Sequence, residues 1–284
     1  MKQNRLERRG GLILMNSLVE AISRAECEKG ELVFWWLGQS GYAIKIGGLI
    51  MYVDGYFTNS PGRSVPPKIR GDQVSNADII MGTHDHSDHI DRAAWVDIAK
   101  ASPQAVFVVP AGIVSTLERE LPALGGRLIG INDGQTVNCK GLEITGVASA
   151  HEFLDYNPET GLYPYMGYSV SDGTVRFYHS GDACIYEGMI SKIRQTGHLN
   201  VAFLPINGRD AVRLRANCIG NMTYQEAVDL AGTLRPDLTV PGHYDMFKHN
   251  SEDPQKFADY FSLKYPGLKY WIGNHYEEVR FSEL

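Results

Sequence analysis

The sequence predicts an α/β (α+β) protein: β-sheets covered by helices, in a single domain with a short helical N-terminal extension. Three observations carry this. Paired apolar runs flank tight turns at Gly47-Gly48 and Asp172-Gly173, a hairpin signature. Strand-like and helical runs alternate through most of the remainder, as expected for sheets with helical cover. Hydrophobic residues make up 43% of the 284-residue chain and charged residues 21%, enough to bury a sizeable core.

Residues 1–30 read as the extension, with a helix over 17–28 that places Leu18, Ala21, Ile22 and Ala25 on one face. Residues 31–284 read as the main domain. Its first strands fall at 32–37, 42–46 and Leu49–Val53, the last ending in Asp54. Residues 55–76 are a long loop rich in Gly, Pro and Ser, of the kind that serves function more often than core. A short buried strand at 78–81 leads into Thr83-His84-Asp85-His86-Ser87-Asp88-His89. A helix is expected over 91–99, a strand over 105–109 and a helix over 110–121, opened by Pro110. Strands follow at Leu128–Ile131 and Leu142–Ala148, the second delivering His151. After a loop at 152–166, the hairpin at 167–179 ends in Ser180-Gly181-Asp182, its Asp-Gly suiting a type I′ turn. The chain continues with a helix at 186–195, a strand at 201–206 and an Arg-rich loop at 207–221. Thr223 and Glu226 form a capping-box signature for a helix to Leu234. A strand at 238–240 delivers His243, Asp253-Pro254 opens a last helix, and 268–272 reads as the final strand.

The charge balance narrows the function. Net charge is −6 and pI about 5.8, with no long basic run, so nucleic acid is not an expected partner. Cys27, Cys139, Cys184 and Cys218 are widely spaced, which favours free thiols over a disulfide framework. The apolar run at 11–15 is too short for a signal peptide and no stretch suits a membrane span, so the expectation is a cytoplasmic protein.

Asp54, His84, His151, Asp182 and His243 each follow the end of an expected strand, where ligand sites of such sheets gather. Residues two apart in an extended chain point the same way, so His84 and His86 can grip one ion. Asp88 and His89 can face a second. His151 completes the first set and His243 the second, Asp182 can bridge them, and Asp54 can orient a histidine ring. Imidazole and carboxylate donors suit two divalent ions, Zn2+ or Mn2+, with iron also compatible. Two such ions sharing a water would make it a nucleophile near neutral pH, and Asp88, Asp182 and Asp54 are the candidate catalytic carboxylates. Arg209, Arg213, Arg215 and Lys248 are candidates to bind an anionic small-molecule substrate, with a solvated loop face as the alternative for the arginines. Tyr163, Tyr165 and Tyr168 can line the pocket or the core. His179, His198, His249 and His275 read as ordinary, and Cys184 as an inert thiol.

Together these motifs resemble the metallo-β-lactamase superfamily over residues 32–245. That resemblance implies an αββα sandwich with a dinuclear centre at its edge. Phe34-Trp35-Trp36-Leu37-Gly38, Thr83-His84-Asp85-His86, Tyr178-His179-Ser180-Gly181-Asp182 and His243-Tyr244-Asp245 are similar to one branch, the L-ascorbate-6-phosphate lactonases. The branch implies lactone opening on a phosphorylated sugar acid, a manganese preference, a cytosolic location and a homo-oligomer. The loops at 152–166 and 207–221 depart from it. Two other readings use the same residues: a phosphodiesterase or phospholipase of this fold, and a di-iron reductase or non-catalytic metal-binding scaffold.

Overall fold

A computed structural model describes residues 17–283. The apolar run at 11–15 lies outside them. Helix α1 (Leu18–Arg24) starts at the side chain of Ser17, which accepts the Glu20 N–H, and ends sooner than expected. Strands β1 (Leu32–Gly38), β2 (Gly41–Ile46) and β3 (Leu49–Val53) form a meander. Both Gly47 (φ 56°) and Gly48 (φ 80°) take the left-handed geometry that a two-residue hairpin turn requires. Then come β4 (Ile79–Met81), α2 (Arg92–Ala101), β5 (Val106–Pro110), α3 (Val114–Glu120), β6 (Leu128–Ile131) and β7 (Thr136–Cys139). The second half comprises β8 (Leu142–Ala148), β9 (Met166–Ser171), β10 (Arg176–His179), α4 (Met189–Gln195) and β11 (Val201–Pro205), followed by α5 (Ala211–Arg215), α6 (Tyr224–Leu234), β12 (Leu238–Gly242), α7 (Pro254–Lys264) and β13 (Val279–Arg280).

The strands form two mixed sheets, ordered β13-β1-β2-β3-β4-β5-β6 and β12-β11-β10-β9-β8-β7. Strand β1 shows the layering. Leu32, Phe34 and Trp36 enter a core shared with the second sheet and with α4, α6 and α7. Val33, Trp35 and Leu37 enter a separate core with α1, α2 and α3. A strand buried on both faces reads as a continuous apolar run, which is how Leu32-Val33-Phe34-Trp35-Trp36-Leu37 appears in the sequence. The order helix, sheet, sheet, helix is the expected αββα sandwich. Among the described residues no helix is long and apolar enough to cross a membrane.

Strand direction decides where the site lies. Strands β3 to β6 are mutually parallel, as are β10, β11 and β12. Strand β8 runs with β10, because each pairs antiparallel with β9. The carboxyl ends of β3, β4, β8, β10 and β12 therefore deliver Asp54, the Thr83 segment, His151, Asp182 and His243.

Five expectations are corrected. Pro110 ends β5, paired with Ile131, and a 3-10 turn (Ala111–Ile113) precedes α3; its fixed φ suits a strand end as well as a helix start. The loop at 172–175 is not a type I′ turn, since only Gly173 has positive φ; the Asp172 side chain instead accepts from the N–H groups of Thr174 and Val175. The stretch 268–272 makes one bridge, Thr239 to Tyr270, rather than a strand. Its apolar residues serve packing, with Trp271 edge-on to Phe34 and Tyr270 against Phe257 and Phe261. Strands β7 and β13 were not expected. The Arg-rich loop holds the short helix α5, begun by the Asp210 carboxylate.

Candidate metal centre

The centre is built outward from one carboxylate. Asp54 is fully buried, and its Oδ1 accepts the Thr83 N–H at 2.9 Å. Its Oδ2 accepts the Thr83 hydroxyl at 2.7 Å and faces His89 Nδ1 at 2.7 Å. With its proton given to Asp54, Thr83 Oγ1 is an acceptor for His84 Nδ1, 3.1 Å away. Both rings are thus held by their Nδ1 edges, leaving Nε2 to the cavity, as the partners of metal-binding histidines do.

The potential donor atoms gather in three overlapping groups, each spanning no more than 4.8 Å: His84, His86 and His151; His84, His89 and Asp182; Asp88, His89 and His243. All seven residues expected as ligands are in these groups. His84 Nε2 is 2.9 Å from His86 Nδ1. Asp182 Oδ2 lies 3.1 Å from His243 Nε2 and 3.8 Å from His151 Nε2, and Oδ1 lies 3.3 Å from His89 Nε2, so this carboxylate faces every group. The test of fit is internal to the protein. His89 Nε2 and Asp182 Oδ1 are buried without a hydrogen-bond partner among the described residues, an arrangement that costs energy unless something else satisfies them. Imidazole nitrogens and a carboxylate turned into one cavity, with two of these atoms lacking a hydrogen bond, are a donor set that fits divalent cations.

The electrostatics agree. Burial lowers His84 well below the ordinary imidazole range and His151 to about 4, so both rings present neutral lone pairs. For His89 and His243 burial also acts downward, but Asp182 and Asp88 outweigh it and raise both, with Asp54 adding to the effect on His89. Asp182 shows the converse: burial would raise it, yet His243 and His89 hold it well below the usual carboxylate range.

Left-handed backbone recurs here. Asp54 (φ 47°) and His243 (φ 57°) are left-handed although neither is glycine, and so is Gln39 (φ 55°) in the β1–β2 turn. Gly181 (φ 60°) lets the Asp182 loop approach; a Cβ there would sit 2.7 Å from the Thr83 side chain.

The expected substrate-binding residues are placed less uniformly. The Tyr165 ring lies 5.3–6.4 Å from those of His84, His86 and His151. Arg209 forms a bidentate pair with Glu226, and Arg213 bonds Asp210, Asn250 and the Asn207 carbonyl, so both tie the 207–250 segment together. Arg215 and Lys248 are exposed. Tyr168 is core, and Tyr163 is half-buried against Tyr156. Cys184 is buried, with its thiol pushed up by burial.

Some positioning residues were missed in the sequence. His179 is buried; its Nε2–H donates to Ser40 O and its Nδ1 accepts the Gly181 N–H, setting the bend before Asp182. Its place two residues before the glycine was the available signal. His275 pairs with Asp245 and stacks on Trp36 at 4.3 Å. Asp245 in turn accepts the Gln39 N–H, and the Gln39 side chain reaches Asp88 and His243.

The chain is 29% identical over 242 residues to a UPF0173 metal-dependent hydrolase of Nitratidesulfovibrio vulgaris, covering 82% of this chain and 89% of the relative. It is 28% identical over 230 residues to another from Methanopyrus kandleri, covering 78% and 88%. Among solved structures it resembles Igni18, a metallo hydrolase from Ignicoccus hospitalis, with a TM-score of 0.69, 25% identity and coverage of 88% and 98%. Residues 53–244, well over half of the chain and the span that carries all seven ligand candidates, match the family model for the beta-lactamase superfamily domain, and the chain belongs to that metallo-β-lactamase superfamily.

Proposed function

We propose that the protein is a metal-dependent hydrolase that holds two divalent ions and opens a lactone ring on a small anionic substrate, of the phosphorylated sugar-acid class. The arrangement of the donor groups carries the two-ion reading: the outer donors gather in separate triads rather than around one point, and Asp182 Oδ2 faces His151 of one side and His243 of the other. Bound divalent ions supply Lewis acidity and lower the pKa of water towards neutrality. The chain supplies the rest. His84, His86 and His151 hold one side of the centre; Asp88, His89 and His243 hold the other. Tyr165, its phenol raised by burial and by Asp155 and Asp85, stays protonated and can donate to a substrate oxygen beside the histidines. Arg215 and Lys248, which make no side-chain pairing among the described residues, are the cations suited to an anionic substituent. Arg209 and Arg213 hold the loop that presents them. The relatives' description as metal-dependent hydrolases supports the reaction class. The lactone itself rests on the motif resemblance at 34–38, 83–86, 178–182 and 243–245. With it come the further proposals of a cytoplasmic homo-oligomer loaded with Mn2+ or Zn2+.

The test is a turnover screen of metal-loaded protein against phosphorylated and unphosphorylated lactones, with bis(p-nitrophenyl) phosphate alongside. Ring opening faster on phosphorylated lactones is expected. Phosphodiester turnover with no lactone opened would overturn the substrate class and favour a phosphodiesterase.

A further inference from the structure

We infer that Gln39 is a positioning residue that assembles one half of the metal centre, by fixing Asp88 and His243 against each other. The inference rests on the two-ion reading and adds a residue that is not itself among the ligand candidates.

Gln39 occupies the turn between β1 and β2, is 1% exposed, and is held in a left-handed conformation that its residue type does not favour. Its side-chain Nε2 donates to Asp88 Oδ2 at 3.0 Å and lies 3.1 Å from His243 Nε2. Its carbonyl accepts the His243 N–H at 2.9 Å and the Trp36 indole N–H at 3.0 Å. Its own N–H donates to Asp245 Oδ1 at 3.1 Å. One residue therefore reaches the side chain of Asp88 and both the ring and backbone of His243, although these lie 49 and 204 positions away in sequence.

Each half has one member tied to Asp54, directly or through Thr83: His84 in one and His89 in the other. Among the described residues, the Asp88 side chain makes no hydrogen bond except the one from Gln39. A carboxylate on a loop keeps many rotamers unless something restrains it, and a ligand that must be ordered on binding binds more weakly. The amide does this without charge, beside Asp54, Asp88 and Asp182. A carboxylate at position 39 would lose the donor and repel Asp88. The geometry also separates assembly of the site from stability. Gln39 Oε1 is buried without a partner, so exchanging the amide for an apolar chain of similar length removes an unsatisfied acceptor.

The test is calorimetric titration of Mn2+ and of Zn2+ into chelator-stripped full-length protein, with melting of the metal-free forms alongside. Wild type is expected to take up two ions per chain. Gln39→Met should keep one at wild-type affinity and weaken the other by about 10–100-fold, the range for loss of a residue supporting a ligand. Its metal-free melting temperature should be unchanged or higher. Gln39→Asn, one methylene short of Asp88, and Gln39→Glu should weaken the same single ion, and either serves if the methionine variant fails to fold. Two ions bound to the Gln39 variants at wild-type affinity, or both weakened equally, would overturn the inference and leave the two-ion reading standing. One ion in the wild type would overturn both.

Discussion

Asp54 shows how much of the centre depends on single side chains. It accepts from the Thr83 N–H, the Thr83 hydroxyl and His89 with no solvent to replace any of them. Asp54→Ala leaves those donors buried and unpaired, so a stability loss of roughly 2–4 kcal/mol is expected by urea denaturation, together with loss of bound metal. His86 is half-buried at the rim, and its contacts are with other site residues. His86→Ala should therefore abolish metal-dependent turnover while the melting temperature of the metal-free protein stays near wild type; retained full activity would refute its role. At this scale the sequence was most readable where chemistry and spacing coincide. Histidines two apart after a strand, and lone Asp or His residues at strand ends, mark ligand candidates without knowledge of the fold. Gln39 could not be read that way, because its partners Asp88 and His243 become neighbours only when the two sheets pack. The cationic cluster misled in the opposite direction: Arg209 and Arg213 look free in the sequence, but Glu226 and Asp210 claim them in the fold.

Individual elements deliver these residues, and their ends are where substitutions should tell. Gly181→Ala places a methyl 2.7 Å from Thr83 at a φ of 60°. The backbone strain alone costs about 1–2 kcal/mol, and relieving the clash must displace Asp182. Weaker metal uptake measured by equilibrium dialysis is expected, exceeding what the stability loss accounts for. Helix α6 gives a contrasting case. Thr223 accepts the Glu226 N–H while Glu226 accepts the Thr223 N–H, a complete capping box. Thr223→Ala should cost about 1 kcal/mol in urea denaturation and leave metal affinity unchanged. The capping box was legible because it is local, a pattern within four residues. Strand β7 was not, since Thr136-Val137-Asn138-Cys139 lies at a sheet edge with little burial and so carries little apolar signal. Strand β13 is two residues long, below what any periodicity can show. The run at 268–272 failed for a related reason: an apolar segment reports burial, and burial by rings looks the same as burial by strand pairing.

For the molecule as a whole, the metal-free centre favours protons where ions belong. Neighbouring carboxylates, Asp182 foremost, raise His89 and His243 above the ordinary imidazole range, so a bound cation competes with protons there. Metal uptake at pH 7 should release protons, seen as a binding enthalpy that varies with the ionisation enthalpy of the buffer, and affinity should fall as pH is lowered. A buffer-independent enthalpy would contradict this. Chelation should lower the melting temperature and re-addition restore it, since an ion at 1,000 times its Kd stabilises by about 4 kcal/mol. Sheets covered by helices were readable from the hairpin turns and the strand–helix alternation, while the αββα order came only with the resemblance to the superfamily. The pairing of the sheet edges was not readable, as it depends on contacts between residues hundreds of positions apart. The left-handed backbones at Gln39, Asp54 and His243 have a further consequence for laboratory evolution. Each holds about 1–3 kcal/mol of conformational energy that a glycine would release. Selection for heat resistance alone should therefore draw glycine to position 39, where the side chain leaves a buried acceptor unpaired, but not to position 54, where Thr83 and His89 would lose their acceptor, whereas selection that also demands turnover should leave all three positions alone.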